Sequence, residues 1–438
     1  MAKYEIEGGF PLRGRVKIFG AKNSSFKLLI AALLFNSKSE ISNVSYLRDL
    51  TTLKKIIENL GAEALFVGDH NLIVKPEGLN LYKVPLELGK ESRASTMLIP
   101  ILLHRFGKAI VPLPGGDKIG ERPLQRHLNG LEAMGAKITY KGQKLFAEAR
   151  KLEGVKYRFG KNTHTGTETL ILAASVANGV TILENAAQEP EVDDLIFFLN
   201  KAGAKINRQE RTIIIEGVKT LRGPKHRCMT DRNEAVTFAC MALGTKGDIF
   251  VENILPIHLK AFLTKVKEAG GGAEITENGI RFFYKEKLKA TWLETSPYPG
   301  FMTDWQPLWS TLMTQGKGKS TVIERVFENR FTFVDTLKEM GADIEFFNPK
   351  ISKPQTYYNF DWSRDKAKLK HGIKIKGPTS LQGTSVVITD IRAGATLTFA
   401  ALMGRGVSEL TSLEHIERGY EDLEGRLASL GANIKRID

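Results

Sequence analysis

Lys22 follows Gly20-Ala21 and precedes Asn23 at the expected mouth of a helix. An ammonium group there, with free backbone N–H groups beside it, can hold a phosphate. A lone lysine in that position is more often an ordinary solvated residue, so its company decides. Thr163-His164-Thr165-Gly166-Thr167-Glu168 sets hydroxyls and backbone N–H groups at a second helix entrance, which suits a diphosphate. Arg93, Arg122, Arg392 and Arg418 lie far apart in the chain, and their planar forks match carboxylate and phosphate oxygens. For Arg418 the local alternative is pairing with Glu417 or Glu421. Asp304 stands where a helix is expected to begin. Aspartate in that position is commonly a cap worth roughly 0.5–2 kcal/mol. As a base its ordinary pKa, about 3.9, is low, so orienting a hydroxyl is part of what it could do. Asp117 sits in the glycine-bearing loop Pro114-Gly115-Gly116-Asp117-Lys118-Ile119-Gly120-Glu121-Arg122-Pro123. That loop lacks the Gly-Lys-Ser/Thr ending of a nucleotide phosphate loop, and the eight histidines form no zinc motif. Neither a metal nor an organic cofactor is expected.

Charge fits the same chemistry. The net charge of +14 is spread along the chain, without a basic tail, an aromatic ribonucleoprotein signature or zinc-finger spacing. Many basic residues sit singly beside glycines and acids, which suits small anions better than a nucleic-acid groove. No apolar h-region or membrane-length stretch is present, so a cytoplasmic protein without membrane attachment is expected. Cys228 and Cys240 read as buried or half-buried thiols rather than as a disulfide framework. Nothing calls for a second copy, and a monomer is the simplest expectation.

The elements that would position these residues repeat six times. An amphipathic run ends in Gly-Ala, followed by a short strand, at Gly61, Gly135, Gly203, Gly272, Gly341 and Gly431, with gaps of 74, 68, 69, 69 and 90 residues. Apolar residues at i, i+3 and i+4 predict a helix with one buried face. The glycine supplies the left-handed cap, and the following Ala-x-Ile resumes a period of two. A second helix precedes each of these, at 23–34, 92–103, 167–177, 233–243, 304–315 and 393–401. Residues 346–373 stretch the last interval and read as a polar, aromatic surface excursion. Six copies in 438 residues divide as three and three, which agrees with the two domains expected from length. Punctuation by Gly223-Pro224 marks the seam, and a cleft between the domains is the default site.

Taken in order, several segments resemble the enolpyruvyl transferases, and within that family the members whose acceptor is UDP-N-acetylglucosamine. They include Gly20-Ala21-Lys22-Asn23, Arg93-Ala94-Ser95, the 114–123 loop and Asp231-Arg232-Asn233-Glu234. Farther on come Phe301-Met302-Thr303-Asp304, Phe327-Glu328-Asn329-Arg330, Asp390-Ile391-Arg392 and His415-Ile416-Glu417-Arg418-Gly419-Tyr420. The resemblance runs nearly end to end. It implies an α/β fold of two inside-out α/β barrels built from six βαβαββ-like units, three per domain. The domains would be 22–229, carrying the Asp117 loop, and 1–21 joined with 230–438.

It also implies a reaction. The sugar 3-hydroxyl adds to C2 of phosphoenolpyruvate while C3 takes a proton, and the adduct then loses phosphate. This is the first committed step of peptidoglycan synthesis, and so bears on cell shape and division. By the same resemblance Lys22, Asn23, Arg122 and Arg418 contact phosphoenolpyruvate. Asn23, Arg93, Thr163, Thr165, Gly166, Asp304, Val326 and Arg392 contact the UDP-sugar. Asp304 is the base candidate and Asp117 the proton donor, where many members carry cysteine. Aspartate there implies resistance to fosfomycin, which alkylates that cysteine. This chain departs from the family pattern at His164, at the shifted Gly166, and at Trp305 and Pro307 beside Asp304. Two alternatives remain. One is the relative 3-phosphoshikimate 1-carboxyvinyltransferase, whose opening resembles Gly-Ser-Lys-Ser instead. The other is a catalytically silent nucleic-acid-binding or regulatory protein supported by the charge.

Overall fold

A computed structural model of the chain describes residues 2–113, 120, 123–365 and 369–438. Its helices include six successive pairs: α1 (Lys22–Ala31) and α2 (Arg48–Asn59), α3 (Leu98–Phe106) and α4 (Gln125–Ala133), α5 (His164–Ala174) and α6 (Pro190–Lys201), α7 (Arg232–Gly244) and α8 (Lys260–Glu268), α9 (Gln306–Met313) and α10 (Val334–Glu339), α11 (Ile391–Met403) and α12 (Leu423–Ser429). The two members of a pair differ in how they bury. The first is enclosed along nearly its whole length: α7 buries every residue from Arg232 to Leu243, and α1 every residue from Ser24 to Ala31. A helix apolar or small-residued all round belongs in a core. The second member is amphipathic. In α2 the buried positions are Asp49, Leu50, Leu53, Ile56 and Ile57, at helical spacing.

Outside the helices lie six sheets among the described residues. One design recurs. In the first repeat Ser39–Ser42 pairs in parallel with the edge strand Lys225–Arg227 and antiparallel with Asn71–Lys75, which pairs antiparallel with Glu63–Val67. The same pattern holds around Val180–Glu184, Asp248–Glu252, Gly318–Ile323 and Val407–Thr411. In the second repeat the parallel partner shrinks to a single bridge, Lys83 to Ile110. Each sheet packs one face on the helices and turns the other to solvent, which is why Tyr140, Val180, Ile275 and Trp292 are exposed.

The described residues form two compact units, 19–113 with 123–229, and 2–18 with Gly120 and 230–438. Each has its own hydrophobic core. The first takes α1 to α6 and the second α7 to α12, so each unit encloses buried helices within three sheets, the inside-out arrangement.

Several expectations need adjusting. The second repeat's helix proper starts at Leu98, because residues Arg93–Met97 make a tighter 3-10 turn first. In the fourth repeat the left-handed glycine is Gly270, with φ +80°, and not Gly272. Gly272 instead opens the strand Gly272–Thr276, and a Cβ there would meet the Phe283 ring at 2.5 Å. The excursion after residue 346 has a small core of its own. Tyr358 stacks on Trp362 at 4.8 Å, His371 is buried beside both, and His371 Nε2 stands 2.9 Å from Asp365 Oδ2. Both cysteines are buried.

Candidate functional site

In the first unit Lys22 is the opening residue of α1, after Ala21 in extended conformation. Its ammonium lies 2.7 Å from Asp49 Oδ2 in α2, with both side chains about nine-tenths buried. Asn23 follows on the same turn. The chain reaches this point through Gly20, which only glycine can occupy: a Cβ would fall 1.8 Å from the Asn43 carbonyl oxygen.

The Arg93–Met97 turn packs against α1 and α2. Arg93 lies close enough to His127 of α4 to act on its imidazole. Burial, then Arg93 and Arg126, depress that pKa to about 3. Arg126 Nη1 donates to the Asn162 carbonyl at 3.0 Å, just before α5. Thr163 caps α5, its hydroxyl accepting from Gly166 N at 3.2 Å, and Thr165 supplies the carbonyl that Thr169 Oγ1 reaches at 2.8 Å. One turn of α5 therefore gathers Thr163, His164, Thr165 and Gly166, with Arg126 bonded to the residue just before it. Positive charge at a helix N-terminus suits an anion.

In the second unit Asp304 does not cap a helix. It lies in the turn before α9, whose cap position is Trp305 without a side-chain cap bond. Its Oδ1 instead receives Arg330 Nη2 at 2.7 Å and lies 3.4 Å from Arg392 Nε. Arg392 is held in turn: Asp390 accepts its backbone N–H at 2.9 Å as the cap of α11, and Arg392 Nη1 donates to Tyr420 Oη at 3.1 Å. Burial opposes the charge on Arg392, yet the facing Asp304 carboxylate and Tyr420 raise its pKa overall.

Val326 is fixed through Glu324. The buried Glu324 carboxylate accepts Val326 N at 2.7 Å, Phe327 N at 3.1 Å and Thr303 Oγ1 at 3.0 Å. That ties the 324–330 segment to the turn bearing Asp304. Trp305 fills the core, with Nε1 donating to Asn233 Oδ1 at 2.8 Å. Arg418 follows the short helix Glu414–Glu417, and Glu417 is engaged by Arg436 Nη1 at 2.9 Å.

Asp117 and Arg122 lie outside the described residues. Of the other site residues expected from sequence, the structure joins Asp304 with Arg392 and ties Val326 to the same turn. Lys22 with Asn23, and Thr163 with Thr165 and Gly166, occupy two helix starts in the other unit. Sequence reasoning missed Arg330, Asp49 and Glu324. Arg330 stood in a quoted motif, but no local spacing reveals a partner 26 residues away. Among the described residues no group of three or more His, Cys, Asp or Glu side chains is placed to hold a metal ion. No helix among them is long and apolar enough to cross a membrane.

A helix start suited to an anion in one unit and a carboxylate held by two arginines in the other thus stand on a six-repeat α/β scaffold. Residues 6–427 match the family model described as EPSP synthase (3-phosphoshikimate 1-carboxyvinyltransferase). A UDP-N-acetylglucosamine 1-carboxyvinyltransferase of Halothermothrix orenii is 40% identical over 439 residues, covering 100% of both chains. Another of that name, from Prochlorococcus marinus, is 42% identical over 99% of this chain and 90% of its own length. The fold is that of the enolpyruvyl transferase NikO from Streptomyces tendae, with TM-score 0.86, 22% identity and coverage of 99% of this chain and 98% of that one. It is also that of EPSP synthase from Acinetobacter baumannii, with TM-score 0.74, 16% identity and full coverage of both. The chain belongs to the enolpyruvyl transferase family, in the branch of the UDP-N-acetylglucosamine 1-carboxyvinyltransferases.

Proposed function

We propose that the protein transfers the enolpyruvyl group of phosphoenolpyruvate to the 3-hydroxyl of UDP-N-acetylglucosamine, releasing inorganic phosphate in peptidoglycan synthesis. The observation that carries this reading is the Asp304 carboxylate fixed by Arg330 and Arg392 in a chain 40% identical, end to end, to a relative of that name. A carboxylate held so firmly is suited to orienting a hydroxyl. It accepts the hydrogen bond of the sugar 3-hydroxyl as the new C2–O bond forms. C3 of the donor takes its proton from Asp117. The alcohol proton is given up as the C2–O bond forms; C3 of the adduct then loses a proton as phosphate departs from C2, regenerating the carbon–carbon double bond. Lys22, Asn23, Arg122 and Arg418 hold the donor's phosphate and carboxylate. Arg93, Thr163, Thr165, Gly166, Val326 and Arg392 hold the UDP-sugar.

The reading extends to a cytoplasmic monomer serving cell-wall growth and division. Phosphate release measured with UDP-N-acetylglucosamine and with shikimate 3-phosphate as acceptor tests it. Saturation by the UDP-sugar alone is expected, and saturation by shikimate 3-phosphate alone would reverse the assignment. Asp117→Ala should abolish turnover. Because a carboxylate resists alkylation by an epoxide under conditions that modify a thiolate, intact mass after fosfomycin treatment should be unchanged. An adduct on the 114–123 loop would refute the resistance.

A further inference from the structure

Lys27, His164, Glu168 and Glu189 bring four ionisable groups from three helices together in the first unit, where the mechanism uses none of them. Lys27 Nζ on α1 lies 3.1 Å from Glu168 Oε2, and His164 Nε2 lies 3.0 Å from Glu168 Oε1, both on α5. Glu189, at the start of α6, completes the set and acts on the same imidazole. Glu168 is wholly buried, and Lys27 and Glu189 nearly so. The His164 side chain keeps 22% of its surface accessible. Both Glu168 oxygens, His164 Nε2 and Glu189 Oε2 lack a well-directed hydrogen bond among the described residues, so charge rather than a bonded lattice holds the group together. Other charged or titratable neighbours are Arg126, bonded to the Asn162 carbonyl, and His127, whose Nδ1 is 3.4 Å from Thr169 Oγ1 on the next turn.

We propose that His164 is a nucleotide-binding residue whose imidazolium, held by Glu168, supplies a titratable positive charge to the diphosphate of the UDP-sugar at the start of α5. The inference rests on the assignment of that diphosphate to residues 163–166. His164 is the first residue of the helix and the one partly exposed member of the cluster. With its proton, the four groups sum to neutrality. Without it, the buried carboxylates leave one net negative charge beside an anion. Burial disfavours the imidazolium, but the Glu168 carboxylate, with Glu189 behind it, outweighs burial and the Lys27 ammonium and raises the pKa above the ordinary value. Bound diphosphate raises it further. Affinity is therefore full below the free protein's pKa, falls as pH rises through it, and levels off once the complex has lost the proton too.

The test is direct binding of UDP-N-acetylglucosamine to the full chain by calorimetry, without phosphoenolpyruvate, from about pH 6 to about pH 9. The diphosphate diester does not itself titrate in that range. The parent protein should weaken roughly ten-fold across it, the size of one charge-assisted contact. His164→Gln should bind weakly and His164→Arg tightly, both without the pH trend. A Gln variant that keeps the parent's trend overturns this inference alone. Absence of UDP-N-acetylglucosamine binding at every pH overturns the functional reading and this inference with it. In the unmodified protein, the His164 imidazole resonance should titrate at higher pH with the UDP-sugar than without it. An unchanged midpoint is equally fatal, and that measurement does not depend on whether either variant folds.

Discussion

Arg330 converts Asp304 from an ordinary turn residue into a fixed one. Its guanidinium is almost wholly buried, reaching Asp304 Oδ1 with Nη2 and the Thr303 carbonyl with Nε, so it holds both ends of one short segment. Arg330→Ala should therefore lower kcat by about 10²-fold, the scale of an ångström-sized misplacement near the reacting atoms. Phosphate release at saturating substrates checks this, and a loss confined to KM would show that Asp304 needs no such anchor. His127 supports a prediction about stability. Its imidazole is buried beside Arg93 and Arg126 and stays neutral down to about pH 3, whereas the unfolded chain takes up a proton near pH 6.5. The stability it permits is thus full above about pH 6.5 and is lost as pH falls below it. Between about pH 7 and pH 5 the loss is on the order of 2 kcal/mol. Denaturant midpoints of the parent and of His127→Gln should show a shallower acid slope in the variant; parallel slopes would refute it. These residues also show the limits of a linear reading. Lys22 was visible from its glycine and helix start, but its partner Asp49 looked like any acid in an amphipathic run. Asp304 carried a plausible local role as a cap, and only the packed structure replaces that role with two arginines.

Side-chain caps fix the starts of several buried helices, and here local rules and tertiary position reinforce one another. Asp231 Oδ1 accepts Asn233 N and Glu234 N at the start of α7, Asp390 Oδ1 accepts Arg392 N and Ala393 N at α11, and Thr163 accepts Gly166 N at α5. All three are favoured capping residue types, although the helix starts expected at 233, 393 and 167 fell one to three residues late. At α11 the cap also sets the height of Arg392, whose side chain meets Asp304. Asp390→Ala should cost roughly 0.5–2 kcal/mol of stability with an unchanged denaturant m-value, and should raise KM for the UDP-sugar. Unaltered stability would mean that another donor-acceptor pair replaces the cap. The glycine caps were equally legible, since Gly61, Gly135, Gly203, Gly341 and Gly431 all take positive φ. The miss at Gly272 has a local cause. The run Gly270-Gly271-Gly272 offers three candidates, and periodicity cannot tell which will be left-handed when all lack a Cβ. Helix bounds slipped where a 3-10 turn preceded the helix, as at Arg93–Met97, because the apolar spacing there resembles that of the helix it leads into.

At the scale of the molecule, the repeat explains an arrangement that composition alone would not suggest. In the sheets of the first five repeats the outer strand and its inner neighbour are consecutive and antiparallel. Glu63–Val67 runs into Asn71–Lys75 and Lys205–Gln209 into Thr212–Glu216 through short turns, while in the fifth the 348–371 excursion joins Asp343–Phe347 to Gly372–Gly377. In the sixth, Asn433–Ile437 takes the outer place and Lys3–Glu7 the inner, with Lys3 opposite Ile437. Periodicity makes the sixth repeat visible through Gly431-Ala432, whereas only the family resemblance assigns residues 1–21 to the second domain, since the two pieces of this sheet stand far apart in the chain. Arg13–Lys17 serves the fourth repeat in the same way, as the parallel edge beside Asp248–Glu252. The six units are therefore equivalent in geometry even though the sixth is cut. That equivalence predicts tolerance of circular permutation. Joining the ends through Asp438, Met1 and Ala2 would make a three-residue connection between register partners, the length that already joins Val67 to Asn71. New ends can be opened between Gly142 and Gln143, in a two-residue turn where nothing lies within 4 Å of the position a glycine Cβ would take. Closing so short a loop costs little that the paired strands do not return. The permuted chain should unfold cooperatively within a few degrees of the parent's Tm and keep its phosphate release. By contrast, deleting residues 2–8 strips the inner strand from between Val407–Thr411 and Asn433–Ile437 and should leave the second unit unfolded. A deletion variant as stable as the parent would show that the strand is an ornament on the sheet. An insoluble or non-cooperative permutant would show that the order of synthesis, and not the closed set of six repeats, selects this fold.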